Sequence, residues 1–278
     1  MPHPLLAWAV HRLSAAGVPE PERDAVILLA AVLGRSRESL YRDRPVLTAA
    51  EEERFRSLVE RRAQREPVAY LTGHREFYGL DLSVTPRVLI PRPESETLVD
   101  WVLTRVPAEP GRVVDVGTGS GALALALAKA GPSVWAVEAV DLDLQALEVA
   151  RENRRRLGLS VQMYPSDLLA QVKPGILAVV ANLPYVALTD AVDPEVAYEP
   201  RHAVYAAEGG LALIDRLVDQ ASTKLRDGGT LALEVGAGQA ERVLARLRRA
   251  GFEPAPPGID LQGTARVVGG VWRRDGIP

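Results

Sequence analysis

The chain has 278 residues, 47% hydrophobic and 25% charged, with a formal net charge of −3 and no cysteine. That length allows one or two domains with a substantial core. The composition excludes disulfides and thiolate metal sites, and the faintly acidic balance disfavours a stable nucleic-acid coat. No apolar run approaches the roughly 20 residues of a bilayer span, and Met1-Pro-His-Pro lacks the regions of a signal peptide. The four histidines, His3, His11, His74 and His202, have no metal-ligand spacing. A cytoplasmic protein without membrane or metal is therefore expected.

Residues 1–75 read as a small helical bundle. Leu5, Ala9 and Leu13 form one helical stripe, and Ala25, Leu28, Leu29 and Val32 a second. Pro19 and Pro21 punctuate between them, and Gly34 stands where the second helix should end. Thr48-Ala-Ala-Glu51 has the spacing of a capping box, opening a third helix through Phe55, Leu58 and Val59. No catalytic constellation lies here, so the bundle is expected to recognise a substrate or to stabilise the fold. Residues 76–93 change character: Glu76 to Val84 alternates around Gly79, as in a β-hairpin. Val88-Leu-Ile then enters Pro91-Arg92-Pro93, whose extended backbone makes Arg92 either a linker residue or a fixed substrate-binding arm.

From residue 94 to 278 strands and helices alternate, the pattern of a parallel sheet covered on both faces. A helix is expected over Glu94 to Val102. Strands are expected at 113–116, 135–140, 161–164, 176–181 and 230–234, with helices at 122–129, 144–157, 211–225 and 240–250. Two further strands, near 259–261 and 265–272, are close enough to pair antiparallel. The fold class is thus α/β, a seven-stranded Rossmann-like sheet preceded by the bundle and hairpin.

Four sites at the ends of these strands carry chemistry. The first strand closes in Asp115-Val-Gly117-Thr118-Gly119-Ser120-Gly121-Ala122, where glycines let backbone approach a ligand and a helix N-terminus lies behind. This string also meets the relaxed dinucleotide pattern, so a nicotinamide enzyme has to be considered. Asp141 ends the second strand, where a carboxylate can accept from both ribose hydroxyls of NAD or of S-adenosylmethionine; the alternative role, a helix cap, suits Asp143 better. Asp167 and Leu168 follow the third strand, placed to accept from an adenine amine and to pack on its ring. The fourth strand ends abruptly in Asn182-Leu183-Pro184-Tyr185. The Asn182 side-chain oxygen and the Leu183 carbonyl offer two acceptors for one planar NH2 group, and Tyr185 a face to stack on it. A plain strand-end turn is the ordinary alternative, but the chain contains just two asparagines, Asn153 and Asn182. With no hydride-transfer acid evident after strand four, the combination points to methyl transfer onto nitrogen.

These stretches resemble the class I S-adenosylmethionine methyltransferases that carry an Asn-Pro-Pro-Tyr motif. Pro67-Val-Ala-Tyr-Leu-Thr-Gly-His-Arg-Glu-Phe-Tyr-Gly79, Val88-Leu-Ile-Pro-Arg-Pro-Glu94 and Tyr198-Glu-Pro-Arg-His-Ala203 are similar to the peptide chain release factor glutamine methyltransferases, the PrmC/HemK family. The likeness runs from about residue 65 to the C-terminus; the earlier part matches in helical character alone. It implies S-adenosylmethionine as methyl donor, S-adenosylhomocysteine as product, and the glutamine of the Gly-Gly-Gln loop of bacterial release factors as acceptor. Glutamine methylation of a ribosomal protein and adenine-N6 methylation of nucleic acid are the alternatives within the fold, and a catalytically silent cofactor-binding module that docks on translation factors is the alternative from a different function class. The cofactor is expected at Gly117, Thr118, Gly119, Ser120, Gly121, Asp141, Asp167, Leu168 and Asn182. Asn182, Leu183, Pro184 and Tyr185 are the expected catalytic and substrate-binding residues, with Arg92. Leu183 replaces the family's usual proline; the required carbonyl is retained and Pro184 still favours extended geometry, so the chemistry is expected to be unchanged.

Overall fold

The computed structural model describes residues 4–43, 45–187 and 189–274; Met1, Pro2 and His3, read above for signal and ligand content, lie outside them. The chain divides into two compact units, Met1–His74 with Val192–Tyr198, and Arg75–Ala191 with Glu199–Pro278.

The first unit holds α1 (Pro4–Ala15), α2 (Pro21–Leu33), α3 (Arg37–Asp43), α4 (Ala49–Ala63) and α5 (Val68–Thr72). Its core is the two expected stripes, Leu5, Ala9 and Leu13 against Ala25, Leu28, Leu29 and Val32, closed by Phe55, Leu58 and Val59. Pro21 begins α2 where a missing N–H is harmless. Gly34 ends it left-handed at φ 59°, donating to the Ala30 and Ala31 carbonyls. The Thr48 hydroxyl accepts from the Glu51 N–H at 3.3 Å, and the Thr48 N–H donates to the Glu51 carboxylate at 2.7 Å, completing the capping box. A buried charge cluster ties the unit together. Arg62 donates to Asp24 at 2.7 Å and pairs with Glu195 at 2.9 Å, and Arg65 pairs with Glu195 at 2.7 Å. Burial works to raise the Glu195 pKa, but the two guanidiniums outweigh it and hold the group below its ordinary value. Helices α3 and α5 went unread in the sequence because each is too short to establish a period.

The second unit opens with β1 (His74–Phe77) and β2 (Leu80–Ser83), a hairpin turning on Tyr78 and Gly79, both at positive φ (51° and 69°). That is the primed turn which matches strand twist. Phe77, Leu80 and Leu82 are buried in the main core with Trp101 and Val102, so the hairpin is part of this unit's interior. A 3-10 turn at Pro93–Ser95 leads into α6 (Glu96–Arg105). Then come β3 (Gly111–Val116), α7 (Ala122–Ala130), β4 (Trp135–Asp141), α8 (Leu144–Leu157), β5 (Gln162–Pro165), β6 (Ile176–Ala181) and β7 (Val186–Ala187). After the segment assigned to the first unit follow α9 (Arg201–Val204), β8 (Tyr205–Ala206), α10 (Ala207–Gly210), α11 (Ala212–Lys224), β9 (Leu225–Glu234), α12 (Ala240–Arg249), β10 (Phe252–Pro254), β11 (Gly258–Ile259) and β12 (Ala265–Trp272).

The main sheet has the order β10-β12-β9-β6-β3-β4-β5, with β11 pairing β12 as an eighth strand. Strands β5, β4, β3, β6 and β9 are parallel, and β12 runs antiparallel to β9, β10 and β11. Successive residues alternate between two cores: Val113, Val137, Ala139, Ala178 and Val180 meet α6, α7 and α8. Val114, Val116, Val140, Val179 and Ala181 meet α11 and α12 on the other face. The central strand β6, Ile176–Ala181, is apolar and buried throughout because both its faces are covered. Strand β9 begins five residues before the expected Thr230. The register with β6 shifts between Ile176 and Ala178, so Asp227-Gly228-Gly229, which reads as a turn, is accommodated within the strand. The chain runs from β3 outward through β4 to β5, then crosses back to β6 on the other side of β3, so the strand order reverses there. The carboxyl ends at that switch point are where ligands of open α/β sheets bind.

Candidate active site

The glycine loop leaves β3 with Gly117, Gly119 and Gly121 at φ of 73°, 55° and 86°. Backbone N–H groups of Gly117 and Thr118 both donate to the Val140 carbonyl, at 2.8 and 3.0 Å. Asp141 takes the next donor: its carboxylate accepts from the Gly119 N–H and from the Asp143 N–H, each at 2.9 Å. Burial raises the Asp141 pKa, and these two N–H groups oppose the shift. Asp143 accepts from the Gln145 N–H and caps α8, as expected. The Ser166 N–H donates to the Asp141 carbonyl at 3.0 Å, which brings the Asp167-Leu168 turn to the same edge. Leu168 is buried at a left-handed φ of 50°. Asp167 is half-exposed and pairs with Arg216 at 2.7 Å, so its carboxylate already has a cationic partner.

Thr118 and Ser120 face inward. The Thr118 hydroxyl donates to Asp115 Oδ2 at 2.6 Å, and the Ser120 carbonyl accepts from the buried Asn153 amide at 2.9 Å. Asp115, the next-to-last residue of β3, is a further polar group of the loop beyond those expected to bind the cofactor. Its Oδ1 is buried without a hydrogen-bond partner. Burial, opposed by Thr118 and the Ala124 N–H, pushes its pKa up to about 7. An acid ending a strand directly before glycines was the available signal.

The fourth-strand tip adjoins this loop. Leu183 is 4% exposed and packs close to Gly117, where an added Cβ would lie 2.9 Å from its Cδ2; the left-handed φ of 73° favours glycine there. Asn182 Nδ2 donates to Ser95 Oγ at 3.0 Å. The Tyr185 hydroxyl donates to Glu234 Oε1 at 3.2 Å, and its carbonyl accepts from Gln239 Nε2 at 3.0 Å. Burial raises the pKa of Tyr185 above its ordinary value, with Glu234 adding to the shift. Glu234 is 1% exposed, and burial raises its pKa against the hydroxyls of Ser95 and Tyr185 and the charge of Arg266.

Arg92 pairs with the buried Glu199, whose other oxygen accepts from the Ile90 N–H at 3.1 Å. It lies near enough to Tyr185 to lower that hydroxyl's pKa. The Ser95 N–H donates to the Arg92 carbonyl at 3.1 Å, so one tight turn presents Arg92 to Glu199 and Ser95 to Asn182. Ser95, Glu199, Glu234 and Gln239 were not nominated from sequence. Glu234 alone carries a local signal, an acid closing the apolar Leu231 to Leu233 run.

Residues 4–73 match the PrmC N-terminal domain and residues 94–199 the methyltransferase small domain. The "Release factor glutamine methyltransferase" of Koribacter versatilis is 41% identical over 271 residues, covering 94% of this chain and 95% of that protein. Its namesake from Deinococcus radiodurans is 42% identical over 268 residues, covering 95% and 96%. The chain belongs to the release factor glutamine methyltransferase family. A methyltransferase from Pyrococcus furiosus, 17% identical, shares the fold of this family member with a TM-score of 0.57, over 77% of this chain and 98% of that one. The sequence stretches that resembled the family meet in space: Arg92 of the Pro-Arg-Pro segment pairs with Glu199 of the Tyr198-Glu-Pro-Arg segment. Among the described residues, no helix is long and apolar enough to cross a membrane.

Proposed function

We propose that this enzyme transfers the methyl group of S-adenosylmethionine to the side-chain amide nitrogen of the glutamine in the Gly-Gly-Gln loop of bacterial peptide chain release factors, in the cytoplasm. The observation that carries the reading is the orientation of Asn182. Its NH2 is engaged by Ser95, so its Oδ1 is the atom that can accept from a substrate amide.

The residues present fit the methyl donor. The loop glycines bring backbone close to a ligand, the orphaned Asp115 Oδ1 suits a cationic group, and Asp141 retains acceptor capacity for ribose hydroxyls. When bound, S-adenosylmethionine supplies an electrophilic methyl: the C–S bond breaks as the N–C bond forms, a proton leaves the amide nitrogen for solvent, and neutral S-adenosylhomocysteine remains. An amide nitrogen is a poor nucleophile because its lone pair is shared with the carbonyl. Asn182 Oδ1 and the Leu183 carbonyl accept its two hydrogens, holding it in line and drawing electron density onto nitrogen. Tyr185, fixed at its hydroxyl and its carbonyl, supports the amide plane. Positioning and electrostatics supply the rate. Arg92, held by Glu199, flanks Tyr185 as the substrate-facing cation. The helical unit contributes to affinity for the protein substrate.

Incubation with labelled S-adenosylmethionine and a release factor, followed by peptide mapping, tests the reading. Label on the Gly-Gly-Gln glutamine is expected. Label confined to parallel samples of ribosomal protein or nucleic acid would overturn it. A chain beginning at Arg75 is expected to keep S-adenosylhomocysteine affinity while its KM for the release factor rises; an unchanged KM removes the recognition role.

A further inference from the structure

Residues 199–206 touch both sides of the glycine loop. They begin with the buried Glu199, held by Arg92 and by the Ile90 N–H at 3.1 Å. They end in β8, which runs parallel to β7 just after the Asn182–Tyr185 tip, Tyr205 opposite Val186 and Ala206 opposite Ala187. Between these anchors stands α9, a single turn with no side-chain cap. Val204 and Ala206 are buried, whereas Arg201 and His202 are exposed. On the far side, His202 Nε2 lies 3.1 Å from Asp143 Oδ2, at the head of α8 just beyond the end of β4.

The sheet order sets where this segment runs. Strand β3 lies between β6 and β4. A segment fastened beside the β6 tip and again at the end of β4 crosses the end of β3, an interval of about 10 Å at two strand spacings. The Gly117–Gly121 loop stands at that end. Asp143 is itself joined to the loop: its N–H donates to Asp141 Oδ1, and Asp141 Oδ2 accepts from the Gly119 N–H, each at 2.9 Å. Its Oδ1 caps α8 through the Gln145 N–H, so Oδ2 is the oxygen that meets His202.

We propose that residues 199–206 roof the groove formed by the glycine loop and Asp141, and that His202 is a positioning residue whose pairing with Asp143 pins the roof over S-adenosylmethionine, a claim that rests on the cofactor seat proposed above and not on the identity of the methyl acceptor. The pin is an ion pair while the imidazole is protonated, and histidine is the side chain whose charge changes near neutrality. Loss of the proton removes the attraction, and the roof opens more often. Among the described residues, the charged groups that face His202 are Asp143 and, behind it, Asp141; Arg201, its neighbour on α9, lies over the Tyr205 ring at 5.4 Å. Because the pin is made between protein groups alone, it is as strong in the empty enzyme as in the loaded one. Loosening it raises the association and dissociation rates of the ligand together and leaves the affinity nearly unchanged.

The test uses the full chain and the variants His202→Gln, His202→Arg and Asp143→Asn, with labelled S-adenosylhomocysteine bound and then chased by unlabelled ligand at pH 6 and pH 8. At pH 6, His202→Gln and Asp143→Asn are expected to raise both rates about two- to fivefold, the range for a partly exposed ion pair. Kd should stay within about twofold. Asparagine keeps the cap on α8, so Asp143→Asn leaves the helix start intact. Wild type should approach the His202→Gln rates at pH 8, whereas His202→Arg, charged throughout, should stay slow at both values. Asp115, raised to about 7, titrates in the same window but is common to all four proteins, so the proteins are compared with one another at each pH. Wild-type rates in both His202→Gln and Asp143→Asn at pH 6 overturn the proposal. So does a rise confined to dissociation with Kd rising in step, which marks direct contact with the ligand, or a His202→Arg variant as fast as His202→Gln at pH 8. A wild-type chain that binds no S-adenosylhomocysteine overturns the cofactor seat itself, an outcome distinct from unchanged rates in a chain that binds it.

Discussion

At Asn182, removal of one preorganised acceptor should fall on turnover. Asn182→Ala is expected to lower kcat about 10²- to 10³-fold. Calorimetry with S-adenosylhomocysteine should find its affinity changed far less than kcat, because the loop glycines and Asp141 carry most of the cofactor binding. Leu183→Pro keeps the carbonyl and should remain active within a few-fold; abolished turnover in a folded protein would refute the two-acceptor arrangement. Asp115 gives a pH signature. Its carboxyl, raised from 3.8 to about 7, holds a proton in the folded state that the unfolded chain has already released. Its contribution to stability therefore falls as pH rises from about 4 to 7 and is level above. Melting curves of wild type against Asp115→Asn, without ligand, should diverge across that window, with the Asn variant gaining. Parallel curves would mean that the carboxyl titrates normally.

At the scale of elements, much was legible in the sequence. Strand β6 and helix α8 fall at the expected residues, as does the Thr48 capping box, because each is written in consecutive or i, i+3 residues. Thr48→Ala should cost about 1 kcal/mol, read by urea titration of the bundle. The candidate site was legible where it follows strand ends, at the glycines, Asp141 and the tip. It was illegible where partners are distant: Ser95 lies 87 residues from Asn182, and Tyr185 lies 49 from Glu234. No local pattern encodes such pairings, and the same distance hid the Asn153 clasp on Ser83. Helix α10 supplies another long-range constraint. A Cβ at Gly210, where φ is 85°, would stand 2.0 Å from the Tyr185 carbonyl oxygen. Both parties are backbone, so Gly210→Ala must displace the tip. It should cost about 3 kcal/mol or more and lower kcat in parallel, measured by denaturation and single-turnover assay.

For the molecule as a whole, the charge cluster of the helical unit is the feature with the longest reach. Arg62 is 6% exposed and serves both Asp24 and Glu195. Arg62→Ala strands the buried Asp24 carboxylate, leaves Glu195 with Arg65 alone, and should cost about 3 kcal/mol of that unit's stability, seen as an early calorimetric transition. Glu195 also closes on Arg65 across 130 residues of sequence. A ribosome adding about 5 to 20 residues per second needs roughly 7 to 26 seconds to supply that interval. During synthesis the first helices therefore wait for a segment encoded late in the message, and Arg62 has Asp24 alone as its carboxylate in the cluster. The helical unit is therefore completed only after residues 192–198 have been made, well after its own five helices.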